Sequence, residues 1–189
     1  AKYGEVDATD EMPIGATITD AQVISFPKGG TDSLLHVRLT INDASNTARY
    51  YRFNLFDTWQ KVSINPDTND TTILDGAEGI KITDVTGISD TLRENYWTLF
   101  FTNRNFVGGK GTIDFWSPVA GSDNYSQLTL YLDLHTVSDN LYNYYRTLQL
   151  QRDANTVNSS EPVYVFSNIT GGYGVFGGFD ITRAQFNIK

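Results

Sequence analysis

The chain has 189 residues with 40% hydrophobic and 13% aromatic side chains, enough to build one good-sized core without staples. Its formal net charge is −8, from 14 Lys and Arg against 22 Asp and Glu, which speaks against a nucleic-acid partner because phosphate-backbone binding needs a basic face. Cysteine is absent, which excludes disulfides, thiolate metal sites and thiol nucleophiles within these residues, and no run approaches the ~18 apolar residues of a transmembrane segment.

The first residues, AKYGEVDATDEMP, are polar and begin abruptly, without a charged-then-apolar leader. We therefore expect a fragment or a trimmed mature form, with residues 1–12 as an extended polar lead-in and 13–189 as a single domain. The dominant period beyond that point is two. Leu35, Val37, Leu39 and Ile41 alternate with polar residues, as do Tyr51, Phe53 and Leu55, and Leu128, Leu130, Leu132 and Leu134, which is the pattern of half-buried strands. Further strands are predicted over 21–26, 96–102, 111–116, 162–167 and 179–188, separated by turn clusters at 27–30, 42–46 and 107–111. One segment breaks the pattern. Ser138 is an N-cap, Asp139 suits the positive end of a helix and Arg152 the negative end, while Leu141, Tyr145 and Leu148 share a face. This predicts one helix over 139–152, followed by a polar loop over 155–160. The whole reads as an all-β, mainly antiparallel β-sandwich, immunoglobulin-like in general architecture, with one α-helix packed on a sheet.

The segment SNITGGYGVFGGF at 167–179 contains a literal G-x-G-x-x-G at Gly172, Gly174 and Gly177. A dinucleotide fingerprint needs a helix after it, but Phe179 onward alternates like a strand. The glycines therefore predict a bulged bend leading into the last strand. Tyr173, Phe176 and Phe179 are expected to anchor it in the core, the alternative being a contact surface, to which Tyr144, Tyr173 and Phe176 are assigned.

Other chemistries have weaker support. Asp67, Asn69, Thr71, Asp75 and Glu78 carry oxygen ligands at calcium-loop spacing, but Thr72 stands where the loop's sharp turn wants glycine. An acidic surface loop is the expectation, with Ca²⁺ as its only candidate cofactor. The two histidines, His36 and His135, fall on the polar phase of strands and read as surface residues. G-x-S-x-G and HExxH are both missing, so no catalytic residue is assigned. Paired carboxylates could serve a glycosidase, with Trp59, Trp97 and Trp116 as a stacking platform, though tryptophans in strands are more often core. The Tyr50-Tyr51 and Tyr144-Tyr145 doublets each place one ring near the surface.

Several of these residues also carry a family resemblance. NRNFVGGK at 103–110, YYRTLQ at 144–149 and SEPVYVFSNITGGYGVFGGF at 160–179, with Asn42-Asp43 and Tyr50-Tyr51, resemble the C-terminal half of an exported lipoprotein family of the Bacteroidota, domain of unknown function 4249. The likeness runs from about Pro13 onward, and its last motif is the most specific. It implies a lipid-anchored outer-membrane protein of sandwich fold, associated with a TonB-dependent outer-membrane transporter or another envelope protein, whose anchor sits on a preceding portion. It implies no active site.

The expected function is a non-enzymatic binding or accessory module of the cell envelope. A carbohydrate-binding module or carbohydrate-active enzyme is the alternative, and a structural adhesion subunit, which would need a free sheet edge, is a third.

Overall fold

A computed structural model describes residues 6–28, 34–45, 47–119, 121–156 and 163–189. Its strands are β1 (Thr17–Ser25), β2 (Leu35–Asn42), β3 (Tyr50–Ile64), β4 (Thr71–Gly79), β5 (Asp84–Thr86), β6 (Ser89–Asn95), β7 (Thr98–Thr102), β8 (Lys110–Ser117), β9 (Gln127–Val137) and β10 (Phe179–Asn187). The helix α1 (Asp139–Thr156) lies between β9 and β10. Two antiparallel sheets form the sandwich. One has the order β1-β2-β8-β5, the other β10-β9-β3-β7-β6 with β4 paired to the far half of β3.

Period two dictates the packing. In β2, Leu35, Val37, Leu39 and Ile41 are buried and face Tyr51, Phe53 and Leu55 of β3, Ile113 and Phe115 of β8, and Leu130, Leu132 and Leu134 of β9. The side chains of alternate residues leave the opposite faces of each sheet. Aromatic contacts join the layers and the strands within them: Phe53 of β3 meets Phe115 of β8 across the sandwich at 5.2 Å, and Tyr51 stacks on Phe101 of neighbouring β7 at 5.0 Å. Burying each such side chain contributes about 1.5–3 kcal/mol.

The outer face of the larger sheet holds a second core. Tyr142, Leu141 and Tyr145 of α1 cover Tyr50, Leu92, Phe100 and Val137, with Tyr50 stacked on Tyr142 at 4.0 Å. This is why all five residues of β7 are buried: sheet lies on one side of them and helix on the other. Ser138 caps the helix, its hydroxyl accepting from the Leu141 N–H.

The structure corrects several expectations. The helix runs past Arg152 to Thr156, so Asn155 and Thr156 are helical and the rest of the predicted loop lies outside the described residues, as do Gly29, Gly30 and Asn46 of two predicted turns. The predicted strand at 162–167 is not one. Pro162 is outside the described residues, and residues 163–167 run unpaired along α1, held by the Phe166 N–H to Thr147 Oγ1 and by Gln151 Nε2 to the Val163 carbonyl. The helix side chains satisfy this backbone instead of a neighbouring strand. The strand expected at 96–102 begins at Thr98, because Tyr96 and Trp97 form the tight turn from β6. The supposed acidic loop at 67–78 is mostly β4, the return arm of a long hairpin whose turn closes through Asn65 and Asp70.

Candidate functional site

At one end of the sandwich, the chain leaves β2 at Asp43 and re-enters the sheet at Tyr50. Asp43 is buried and gathers donors. The Tyr51 hydroxyl, the Ser45 hydroxyl and Asn103 Nδ2 all donate to Oδ2, and the Ser45 N–H donates to Oδ1. Arg49 Nε stands 3.9 Å from Oδ1 while an Arg49 terminal nitrogen donates to the Ile14 carbonyl. Burial pushes the Asp43 carboxyl up, but the hydrogen bonds from Tyr51 and Ser45 and the Arg49 charge outweigh it and hold the group below its ordinary value. Burial and the Asp43 carboxylate push the Tyr51 phenol well up. The main chain of Asp43 is pinned as well, its N–H donating to the Gly109 carbonyl. Three of the sequence motifs (Asn42-Asp43, Tyr50-Tyr51 and the run from Asn103 to Lys110) thus meet in one buried polar knot, with Phe106 stacked on Tyr51 at 5.8 Å.

Two clefts open beside the knot. The larger, about 760 Å³, lies between residues 9–14 at the junction of the lead-in and the domain, residues 47–49, and Ser138, Asp139 and Asn140 at the start of α1. Asp10, Glu11 and Asp139 line it opposite Arg49. The smaller, about 480 Å³, shares Thr47 and Ala48 and has the Asp90–Arg104 ion pair on its far wall.

The glycine segment braces the lead-in. Asp7 bridges to Thr170, Asn168 Nδ2 donates to the Thr9 and Phe176 carbonyls, the Phe176 N–H donates to Asn168 Oδ1, and the Gly178 N–H donates to Asp10 Oδ2. Gly177 sits so close to α1 that a Cβ there would lie 2.8 Å from Leu141 Cβ. A bend is what the glycines make, and β10 follows it directly. The expected core anchoring is overturned. Tyr173 is 100% exposed, Phe176 58% and Phe179 44%, because the interior beneath is already filled by α1 and the segment turns its carbonyls and amides, not its rings, toward the protein. Tyr144 is half-buried, edge-on to Tyr145 at 5.5 Å. Tyr144 is therefore on α1, while Tyr173 and Phe176 are on the brace.

The remaining sequence candidates scatter. Asp67 and Asn69 sit in the hairpin turn, whereas Thr71, Asp75 and Glu78 are strung along β4 opposite Ile64, Gln60 and Asp57. Thr71 and Glu78 are seven strand residues apart, roughly 23 Å, too far for one cation. Among the described residues no group of three or more His, Asp or Glu side chains gathers as for a metal. His36 is half-buried, stacked on Trp116 at 4.5 Å and 2.7 Å from Asp114. His135 is not a surface residue. It is 6% exposed beneath the Phe179 ring, with Nδ1 unpartnered, and burial together with Arg52 holds its pKa down. None of the tryptophans is in the core: Trp97 is 45% exposed, Trp59 lies at the hairpin base and Trp116 on the outer face.

The sequence reading missed Asp57. It stands on the apolar phase of β3, two residues beyond Leu55, is buried, and leaves Oδ1 without a hydrogen-bond partner. Burial first, then the Glu78 charge opposite, raise it to about 6 against a backbone hydrogen bond from Glu78. A carboxylate continuing the Tyr51, Phe53, Leu55 alternation was the signal that could have found it.

No helix among the described residues is long and apolar enough to cross a membrane. No curated protein and no solved structure matches the chain. The family model described as "Domain of unknown function (DUF4249)" matches residues 2–185, starting ahead of Pro13 and so taking in the lead-in along with the knot and the brace, and the chain belongs to that family.

Proposed function

We propose that this domain is a non-enzymatic binding and accessory module of the bacterial cell envelope, exported and held at the outer membrane by an anchor on a preceding portion. It docks on an envelope protein, with a TonB-dependent transporter as the partner class that the family resemblance implies. One observation carries the reading. The lead-in and its brace expose Val6 (59%), Met12 (72%), Ile14 (78%), Tyr173 and Phe176, yet the backbone beneath them is fixed by a network of directed hydrogen bonds. Large apolar side chains on an ordered, pre-organised backbone mark an interaction surface.

The test is capture from native membranes with the wild-type domain and with Tyr173→Ser/Phe176→Ser. The wild type should retain an outer-membrane protein that the double variant loses. Recovery of no envelope protein, or equal recovery by both, sinks the proposal. The carbohydrate-active alternative draws on the Asp57–Glu78 pair beside Trp59 and Tyr125. Glycan hydrolysis abolished by Asp57→Asn would put that reading in its place.

A further inference from the structure

The base of the long hairpin, at the opposite end of β3 from the clefts, contains an aromatic box that the chain fills with its own cation. The inner face of β3 carries Asp57, Trp59 and Lys61 in succession, because alternate residues share a side. Tyr125, from the segment before β9, closes over them and is 6% exposed. Its ring lies 5.9 Å from that of Trp59 at 45°. Lys61 Nζ sits between the two, 4.8 Å from each ring centroid. Across the hairpin, Gly76 pairs with Trp59. A Cβ at that position would stand 2.3 Å from the indole ring, so the absence of a side chain is what lets Trp59 lie flat there.

The polar surroundings are unusual for a lysine. A primary ammonium has three N–H donors to satisfy, but Lys61 makes neither an ion pair nor a hydrogen bond among the described residues. Among the described residues the box offers the half-buried ammonium two π faces. Beside the rings, two buried polar atoms have no hydrogen-bond partner: Asp57 Oδ1 and the Trp59 indole N–H. Asp57 and Glu78 also act electrostatically on the Tyr125 phenol, so the box has carboxylates beside it, one buried at Asp57 and one exposed at Glu78. Two π faces favour a cation that has no N–H to leave unsatisfied, and the unpaired indole N–H and carboxyl oxygen nearby suit a ligand whose other end carries oxygen, a hydroxyl meeting both and a phosphodiester meeting the indole N–H.

We infer that Trp59, Tyr125, Asp57 and Glu78 form a binding site for a small quaternary ammonium group with an oxygen-bearing arm, a choline-type group, and that Lys61 is its resident occupant, displaced when the ligand enters. The four-carbon stem of Lys61 swings out to solvent, and the methylated cation takes the place of Nζ between the rings. The site lies about 35 Å along β3 from the clefts and is independent of the docking surface proposed above.

The experiment is calorimetric titration with choline chloride, paired with sedimentation on phosphatidylcholine vesicles, since the same trimethylammonium group can come free with a hydroxyl or on a lipid with a phosphodiester. The proteins are the wild type, Lys61→Met, and Lys61→Met combined with either Tyr125→Leu or Gly76→Ala. Lys61→Met should bind choline at least tenfold more tightly than the wild type, because the competitor is gone while the apolar stem stays. Both second substitutions should abolish binding. Gly76→Ala does so by pushing the indole aside in an open strand, which guards against a Tyr125→Leu protein that merely fails to fold. Vesicle binding without a response to free choline, lost in the Gly76→Ala variant, assigns the headgroup to a lipid surface and upholds the site. Absence of saturable binding to either probe by Lys61→Met, or binding that survives both second substitutions, overturns it.

Discussion

Replacing Asp57 by Asn should change how stability responds to pH, and the size of the change follows from the structure. Asp57 is 6% exposed and keeps its proton up to about pH 6, against an ordinary 3.8. Its folded pKa is raised, so the protonated carboxyl contributes stability that is fully present below the unfolded pKa and lost as pH rises through the folded value, here between about pH 4 and 6. One unit of pKa corresponds to about 1.4 kcal/mol, so the difference amounts to on the order of 3 kcal/mol by pH 7. Asn keeps the shape and carries no charge. The variant should therefore be more stable than the wild type by up to about 3 kcal/mol at pH 7 and by only about 1 kcal/mol at pH 4.5. Urea unfolding at pH 4.5, 5.5, 6.5 and 7.5 measures this directly, and Glu78→Gln should give a smaller shift of the same sign because the Glu78 charge is the second cause. An unchanged slope of stability against pH in Asp57→Asn would refute the argument, since no other cause of the difference would then remain at this site.

The knot should behave in the opposite sense. The Asp43 carboxyl is held below its ordinary value, so its contribution is present at neutral pH and is lost as pH falls below the usual carboxylate range; acid unfolding monitored by circular dichroism should shift to higher pH in Asn103→Ala and Tyr51→Phe. At pH 7, Tyr51→Phe should cost about 1.5–3 kcal/mol, the loss of one hydrogen bond to a charged group, read from chemical unfolding. Gly109→Ala should cost at least about 2 kcal/mol, because its φ is +75° and a Cβ would lie 2.3 Å from the Asp43 carbonyl oxygen; a melting temperature within a degree of wild type would contradict that geometry. Asn168→Ala removes one hydrogen bond to the lead-in and two that close the brace on itself at Phe176, so hydrogen exchange over 168–178 should quicken while global stability falls by no more than about 1–2 kcal/mol.

Much of the architecture was legible in the sequence because local physics decides it. The alternation in β2, β3 and β9 fixes which side chains face inward, whatever the partner strand, and the Ser138 cap with its apolar face marks α1. The strand following the glycines was readable for the same reason. Period two, however, says only that a side chain points to one face or the other, not what covers that face. The outer face of the larger sheet reads as polar at His135 and Arg52, but α1 comes back over that face at Tyr50 and Phe100, and the Phe179 ring lies on His135, which is buried. At Asp57 the reverse applies: the phase predicts burial, and only the hairpin register brings Glu78 opposite and leaves one oxygen unpaired.

Residues 163–178 mark the same boundary. Val163, Val165 and Phe166 have the composition of a strand, yet α1 supplies the hydrogen bonds of the Phe166 N–H and the Val163 carbonyl, and no strand among the described residues pairs with them. The sequence by itself determined the sandwich, the helix and the bend, each a matter of neighbours within a few residues. Tertiary structure alone decided that Asp43 would meet Tyr51 and Asn103, that Tyr173 and Phe176 would stay in solvent, and that Lys61 would lie between two rings. Those outcomes depend on which distant segments reach a given face first, and that is settled by the packing of the whole chain.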